Sequence, residues 1–332
     1  MIYSISHNDL DGYASQLLIK KYAKKIKEKI EMYNVNYGKA ILETLKLIEN
    51  KLKKEDIIII TDLNLDQEIA IYLDNLIAKK IVIDHHETGK MIAKKYDWYF
   101  YNKSKSATLL TYEYFSSYLK KYDFIKYTNM YDLWLENKKK FNKAKSLNYA
   151  FKNLSKNYSK DIENLRRDFV FFLIESYSFV LEIENSVYFA EKELYNIERH
   201  YLTEKEFNFK EPIDSLRIKK HYKYIIENKL YEDINFNGYK FRLFFNMNDI
   251  FQEILHLTLN NNKDLDFVCH LNKQGFISFR SLKINVEKFA KTYFNGGGHR
   301  LASGGSLNGA RKNIKFKENE IINIFKSHLI IS

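Results

Sequence analysis

The sequence predicts an α/β protein, with an N-terminal domain built on a parallel sheet and extended by helices, followed by a smaller C-terminal α/β domain. Three observations carry that expectation. Short β-rich runs alternate with helix-compatible stretches over the first hundred residues, the rhythm of a sheet with crossover helices. From Ser106 to about His200 the pattern turns almost wholly helical, and strands return beyond the lone Pro212. The chain has 332 residues, 45% of them hydrophobic, with 11 Gly and 1 Pro, so it can bury a large core and is neither disordered nor collagen-like.

In chain order, strands are expected at residues 2–6, 32–36, 56–61 and 80–84, with helices at 12–29, 39–53 and 66–79 between them. Aromatic and aliphatic residues at helical spacing in ATLLTYEYFSSYL and DFVFFLIESYSFVLEI predict packed helices whose stripes serve the core. The charged stretch around Pro212 reads as a connector. Beyond it, strands are expected at 240–245, 266–271 and 275–280, and helices at 250–259, 286–293 and 318–328. These elements group into a first domain over 1–180, a helical connector over 181–225 and a second domain over 226–332.

Composition excludes several classes. One cysteine, Cys269, rules out an internal disulfide and a Cys-rich metal site, and fits a reducing, cytoplasmic setting. In the apolar run FVCHL that residue is expected to be a buried small hydrophobe. The N-terminus MIYSISHNDLDG lacks a basic stretch followed by an apolar core, and the most apolar window, 169–183, is interrupted by Glu175 and Glu182. No signal peptide or membrane span is therefore expected. A net charge of +12, from 54 Lys and Arg against 42 Asp and Glu, would attract phosphate-rich partners. Lys, Asn, Ile, Tyr and Phe are abundant together, however, as in proteins of A/T-rich genomes, so charge alone does not establish nucleic-acid binding.

Chemistry concentrates at the strand ends of the first domain. His7, Asp9 and Asp11 follow the first strand, Asp62 follows IIIIT, and Asp84, His85 and His86 follow KIVI. One strand-end Asp is ordinarily a helix cap and one His an ordinary polar residue. Their coincidence is informative, because clustered carboxylates need positive charge, and divalent cations with carboxylate and imidazole ligands supply it. Oxygen and nitrogen donors without thiolate suit Mn²⁺ or Mg²⁺ ahead of Zn²⁺ and Fe²⁺.

The motifs SHNDLDG, ITDLNLD, VIDHHETG and FNGGGHRLASGG, in that order, resemble the DHH phosphoesterase family with its DHH-associated C-terminal domain. The resemblance spans Ser6 to Gly305 and implies a metal-dependent phosphodiesterase with two Mn²⁺ ions, Mg²⁺ being the alternative. It implies that His7 and Asp9 bind one ion, Asp11 and His85 the other, and that Asp62 bridges them. Asp84 would support its neighbouring histidine, and His86 would face the phosphate or place the attacking water. A fourth-motif ligand matches Asp132 in TNMYDLW, with Asp123 in reserve. Where many relatives carry Asp-Thr-Gly, this chain has Tyr131, Asp132, Leu133 and Trp134, and His7 stands two residues before Asp9 rather than four.

The segment Ser106, Ala107, Thr108 matches the family's Ser-Ala-Thr, and capping alone accounts for Ser106. In the C-terminal domain, Ser278, Arg280 and Ser281 match the family's Ser-x-Arg-Ser strand, whose arginine would hold substrate phosphate. Gly296, Gly297 and Gly298 would let backbone approach a phosphate, with His299 and Arg300 directly after. His200, His221, His256, His270 and His328 fit no ligand spacing.

The substrate expected from this reading is a short oligonucleotide cleaved to mononucleotides, with 3′-phosphoadenosine 5′-phosphate as a second substrate. The alternatives are a cyclic-dinucleotide phosphodiesterase, a RecJ-type exonuclease, an inactive nucleic-acid-binding scaffold, and an inorganic polyphosphate or pyrophosphate hydrolase, against which the GGGH motif points towards nucleotides. The chain after Gly305 is too short for the OB-fold expected of a RecJ-type enzyme. Besides its nucleotide substrate the expected partner is a second copy in a homodimer, and no membrane.

Overall fold

The computed structural model describes residues 1–158, 162–203, 211–245, 251–272, 274–307 and 325. Two compact units are formed, one from Met1–Asn157 and Arg167–Tyr201, the other from Tyr158–Arg166 and Leu202–Ser332.

The first unit opens with β1 (Ile2–His7), α1 (Leu10–Lys25), β2 (Ile30–Val35), α2 (Lys39–Glu49), β3 (Ile57–Thr61), α3 (Gln67–Asn75), β4 (Lys79–Asp84), α4 (Lys90–Ala93) and β5 (Tyr99–Tyr101). The five strands lie in the order β2-β1-β3-β4-β5, every neighbouring pair parallel. A parallel sheet is covered on both faces, which explains the unbroken IIIIT of β3, buried from Ile58 to Thr61. Ile58, Ile60 and Ile5 pack with Ile41, Leu45 and Ile48 of α2 and Ile69 and Leu73 of α3.

The chain winds outward in one direction from β1 to β2 and in the other from β3 to β5, so the sheet reverses between β1 and β3. At such a switch point the loops leaving adjacent strands diverge and open a crevice at the strands' carboxyl ends. His7 ends β1 and Asp62 follows β3, so the sequence places both residues at that crevice.

The four expected strands are present. The three helices stop about four residues early; after α1, Lys27 takes a left-handed φ of 58°, which no continuing helix accommodates. Helices then fill the segment expected to be helical: α5 (Ala107–Tyr114), α6 (Asp123–Asp132), α7 (Phe141–Leu154), α8 (Glu163–Ile183), α9 (Val187–Lys192) and α10 (Leu194–Thr203).

The charged stretch read as a connector holds a full helix, α11 (Ile213–Glu227), starting directly after Pro212. Proline suits that position because it has no N–H to leave unsatisfied there. There follow β6 (Tyr231–Phe236), β7 (Tyr239–Phe245), α12 (Phe251–Asn261), β8 (Phe267–Leu271), β9 (Phe276–Arg280), α13 (Val286–Phe294), β10 (Gly297–His299) and β11 (Ala302–Ser306). Their sheet runs β10-β11-β9-β8-β7-β6, with β7 and β8 parallel and the other pairs antiparallel. Phe241, Phe267, Phe279, Phe289 and Phe294 form its core, and Cys269 is buried among them as expected. The expected helix at 318–328 lies, apart from Phe325, outside the described residues. No helix among the described residues is long and apolar enough to cross a membrane.

Candidate metal centre

Each strand end at the crevice delivers a ligand-type side chain. Asp9 caps α1, its Oδ1 accepting the Gly12 N–H at 3.0 Å, which leaves Oδ2 3.1 Å from His7 Nδ1. Asp11, in the first turn of α1, is buried and accepts N–H bonds from Ala107 (2.7 Å) and Thr108 (2.9 Å) at the start of α5. The Ser-Ala-Thr segment thus does more than begin a helix, for Ser106 caps α5 and the next two amides hold a site carboxylate.

Asp62 sits at φ 60°, a left-handed conformation that costs a non-glycine residue energy and that turns its carboxylate over the strand ends. One oxygen, Oδ1, lies 3.3 Å from His85 Nε2; the other, Oδ2, lies 3.7 Å from His7 Nδ1. His85 Nε2 also stands 3.3 Å from Asp132 Oδ2 and 3.7 Å from Asp11 Oδ2. Two ligand groups result, His7 with Asp9 and Asp62, and Asp11 with His85 and Asp132, and a third overlapping group joins Asp62, His85 and His86. Asp62 faces both of the first two groups with different oxygens, the placement expected of a bridging ligand.

Asp84 supports His86: the carboxylate is fully buried, Oδ1 lies 2.7 Å from His86 Nδ1, and Oδ2 accepts the Tyr99 hydroxyl at 2.9 Å. The opposite ring atom, His86 Nε2, meets the Tyr37 hydroxyl at 3.0 Å, and that hydroxyl is 3.4 Å from His7 Nδ1. Asp132 joins the cluster at the end of α6, while Asp123 begins the same helix and pairs with Lys126 at 3.3 Å, so of the two candidates geometry selects Asp132.

Electrostatics show a site short of positive charge. Burial and then the repulsion of Asp11 and Asp9 push Asp62 well above the usual carboxylate range, and burial raises Asp11 as well. Asp132 is pushed up to about 8 by burial and by Asp11. Burial opposes a charged His7, yet the neighbouring carboxylates of Asp62 and Asp9 prevail and raise it to about 9. Despite burial, the reciprocal bond to His7 and the Gly12 N–H hold Asp9 down at about 2.

The residues fit divalent metal ions. Asp62 Oδ2, His85 Nε2 and Asp132 Oδ2 are buried without hydrogen-bond partners, although buried polar atoms are nearly always satisfied. All three belong to these groups, and their chemistry of oxygen and imidazole nitrogen without thiolate suits a divalent metal ion.

The C-terminal candidates lie on or directly beside β9 and β10, the two strands that flank β11. Ser278 pairs with His270 and Gly304, and Arg280 with Val268 and Ala302. The Arg280 guanidinium donates to the Phe279 carbonyl at 2.7 Å and forms no ion pair among the described residues; burial lowers its pKa, so it lacks a countercharge. Ser281 is buried and already committed: its hydroxyl donates to Asp266 O at 2.7 Å and accepts the N–H groups of Lys283 and Ile284.

The glycine triplet differs from the expectation that all three serve a ligand. A Cβ at Gly296 would overlap the Gly304 carbonyl, and one at Gly298 would lie 2.8 Å from the Ala302 carbonyl, so these two glycines permit close approach of the chain to itself. Gly297 has open space beside it, and Gly297, Gly298, His299 and Arg300 are exposed.

The remaining histidines are elsewhere. His221 is buried with Nδ1 2.7 Å from Arg217 O; burial lowers His270 to about 4; His200 stacks on Phe172, His256 is exposed, and His328 lies outside the described residues. Sequence reasoning missed Tyr37, Tyr99 and Asn129, the last accepting the Ser106 N–H at 2.8 Å. Tyr37 precedes Gly38 in the turn after β2, a strand-end position that was open to notice.

Residues 1–136 match the model of the DHH family, N-terminal domain. Together with the doubly wound sheet and the carboxylate–imidazole cluster, that match makes the protein a phosphoesterase. Its first part is a DHH-family domain. The 3′,5′-cyclic-nucleotide phosphodiesterase of Helicobacter pylori (strain ATCC 700392 / 26695) is 28% identical over 351 residues, 96% of each chain. A crystal structure of an uncharacterized protein from Helicobacter pylori G27 aligns with a TM-score of 0.79 at 26% identity, covering 98% of this chain and 99% of that one. RecJ from Thermus thermophilus in complex with Mn²⁺ matches with a TM-score of 0.28 at 13% identity, covering 99% of this chain and 51% of that one, too distant to carry an argument.

Proposed function

We propose that the protein is an Mn²⁺-dependent phosphodiesterase that hydrolyses the 3′,5′-phosphodiester bond of small nucleotides, a 3′,5′-cyclic nucleotide first among them. The observation that carries this reading is the convergence of three unpartnered buried ligand atoms, on Asp62, His85 and Asp132, at the switch point of the sheet. The relative from Helicobacter pylori, similar over 96% of its length, supports the cyclic-nucleotide substrate by its name.

His7, Asp9 and Asp62 would hold one ion and Asp11, His85 and Asp132 the other, with Asp62 common to both. When bound, such cations supply positive charge for phosphoryl oxygens and lower the pKa of coordinated water. His86 is held by Asp84 with Nε2 turned outward beside the Tyr37 hydroxyl, which orients it toward a phosphate or a reacting water. In the second unit, Arg280 is the residue we assign to substrate phosphate, because its half-buried cation lacks a countercharge. Arg280→Ala is accordingly expected to lower kcat/KM roughly ten- to a hundredfold with metal content unchanged.

A second reading is short oligonucleotides cleaved to mononucleotides in a cytoplasmic setting; the exposed Arg300 and the open space at Gly297 favour the longer substrate, offering room for a further phosphate. Product analysis decides between them. Chelator-treated protein is reloaded with Mn²⁺ or Mg²⁺ and given 3′,5′-cyclic AMP and GMP, cyclic dinucleotides, linear dimers to pentamers, a 20-mer and 3′-phosphoadenosine 5′-phosphate. Metal-dependent conversion of the cyclic mononucleotides to nucleoside monophosphates is expected. Undiminished hydrolysis in excess chelator, or none with any metal, overturns the reading.

A further inference from the structure

A groove of about 680 Å³ lies between α6, α7 and α9 in the first unit, lined by Tyr131, Trp134, Lys145, Asn148, Tyr149 and Lys152 among others. None of these belongs to the ligand cluster. Tyr131 and Trp134 flank Asp132 in the YDLW turn, so the groove wall and a metal-ligand residue are neighbours on one short stretch of backbone.

The turn itself is unusual. Leu135 N–H bonds to Met130 O at 2.9 Å and Trp134 N–H to Tyr131 O at 3.0 Å, the helix-ending pattern in which the residue after the cap is left-handed. Glycine is the residue suited to that position, yet it is occupied by Trp134 at φ 51°, its side chain 55% exposed. Its ring makes T-shaped contacts with Tyr131 at 5.7 Å and Phe141 at 5.1 Å, which hold it while more than half of its surface stays open to solvent. Tyr149, 61% exposed, adds a second aromatic surface.

The polar lining is equally unassigned. Asn142, Lys145, Tyr149 and Lys152 recur at helical spacing on one face of α7. Lys145 and Lys152 form no ion pair, and the amides of Asn142 and Asn148 make no hydrogen bond, among the described residues. Asn148 is nonetheless buried in the wall. The one carboxylate in the lining, Glu191, accepts the Ser146 hydroxyl at 3.0 Å, and the exposed aromatic faces, uncommitted amides and two lysines without ion pairs match the two halves of a nucleotide, a flat base with hydrogen-bonding edges and an anionic phosphate.

We propose that this groove is a nucleotide-binding subsite, in which the base lies on Trp134 or Tyr149 and the phosphate meets Lys145 or Lys152. The proposal deepens the phosphodiesterase reading and rests on it for its link to substrate, placing base recognition in the DHH-type unit itself. An apolar groove alone would suit a second copy of the chain equally well; the paired lysines favour an anion instead.

Binding and turnover test it separately. The chain has 2 tryptophans, so in a Trp98→Phe protein Trp134 is the sole indole, and its fluorescence is titrated with adenosine 5′-monophosphate, ribose 5-phosphate and inorganic phosphate. Saturable quenching by the nucleotide, weak or absent with the two base-free anions, is expected. Lys145→Ala with Lys152→Ala should weaken nucleotide binding roughly tenfold. In kinetics, Tyr149→Ala and Trp134→Gly should raise KM for 3′,5′-cyclic AMP or a dinucleotide about tenfold, with hydrolysis of methyl p-nitrophenyl phosphate unchanged. Trp134→Gly keeps the turn, since glycine accepts its φ.

Equal quenching by ribose 5-phosphate, or equal loss on both kinds of ester, overturns the proposal. So does a sedimentation result in which the variants break a dimer while the wild-type protein ignores the nucleotide. If quenching follows expectation and no ester is hydrolysed with any metal, the phosphodiesterase reading has failed and the subsite stands.

Discussion

His86 and Asp84 form a directed pair: Asp84 Oδ1 lies 2.7 Å from His86 Nδ1, which points Nε2 away from the buried carboxylate and toward Tyr37. The carboxylate is itself fixed by the Tyr99 hydroxyl. Asp84→Asn would keep the volume and place an amide donor or a neutral oxygen against the ring, so His86 loses its fixed tautomer. We expect kcat to fall roughly ten- to a hundredfold with metal content within error of wild type, measured by elemental analysis beside steady-state kinetics. Loss of both metals would mean that Asp84 acts on His85 instead.

Asp62→Ala should be far more damaging. One carboxylate turns its two oxygens toward His7 and His85, so its removal weakens both ligand groups at once. Activity is expected to drop on the order of a thousandfold, and bound metal with it, while circular dichroism stays native. A variant within a few-fold of wild type sinks the bridging assignment.

The pH dependence of the metal-free protein follows from two raised pKa values. His7 moves from 6.5 to about 9, so the stability its charged form contributes is complete below 6.5 and disappears as pH rises through 9. Asp132 moves from 3.8 to about 8, so its protonated form favours folding, and that contribution is lost progressively from 3.8 up to 8. Between pH 6.5 and 8 both act in one direction, and His7 alone carries the trend on to 9. Tm in chelator should therefore fall across that window, and the Tm increase on adding Mn²⁺ should grow with pH, since cations take over the role of the protons. A chelator Tm that is flat or rising from 6.5 to 9 contradicts this.

Gly89 tests how tightly the support behind His86 is packed. A Cβ there would overlap the Tyr99 hydroxyl and stand 2.7 Å from Asp84 Oδ2. Gly89→Ala must displace one of them, at a cost of about 1–3 kcal/mol for overpacking a buried site. Chemical denaturation should show a lower midpoint, and kcat should fall toward that of Asp84→Asn. Double substitution with Tyr99→Phe, which removes the crowding oxygen, should recover part of the stability; no recovery would locate the clash elsewhere.

The sheet and the acidic and imidazole side chains at its strand ends were legible because parallel strands are marked twice, by unbroken apolar runs such as IIIIT and by the polar residues released where they end. Asp132 was reached through a resemblance, and its contact with His85 arises from helix packing, a nonlocal event that no spacing encodes. β5, three residues long in DWYFYN, was too short to show alternation. The hairpin of β6 and β7 was signalled and overlooked: Asn237-Gly238, with φ of 47° and 80°, is the residue pair that two-residue hairpin turns demand. The glycine triplet misled, because close approach to a neighbouring strand and close approach to a ligand call for the same residue.

Asp11 closes the start of α5 with both carboxylate oxygens, and this makes the amide protons of Ala107 and Thr108 reporters of the metal centre. They can exchange with solvent deuterium only when that carboxylate moves away, which is also the motion that would release an ion from Asp11. Exchange at these two amides should therefore keep pace with metal dissociation, slowing when the site is loaded, so that occupancy of the centre can be followed from a helix terminus without any substrate present.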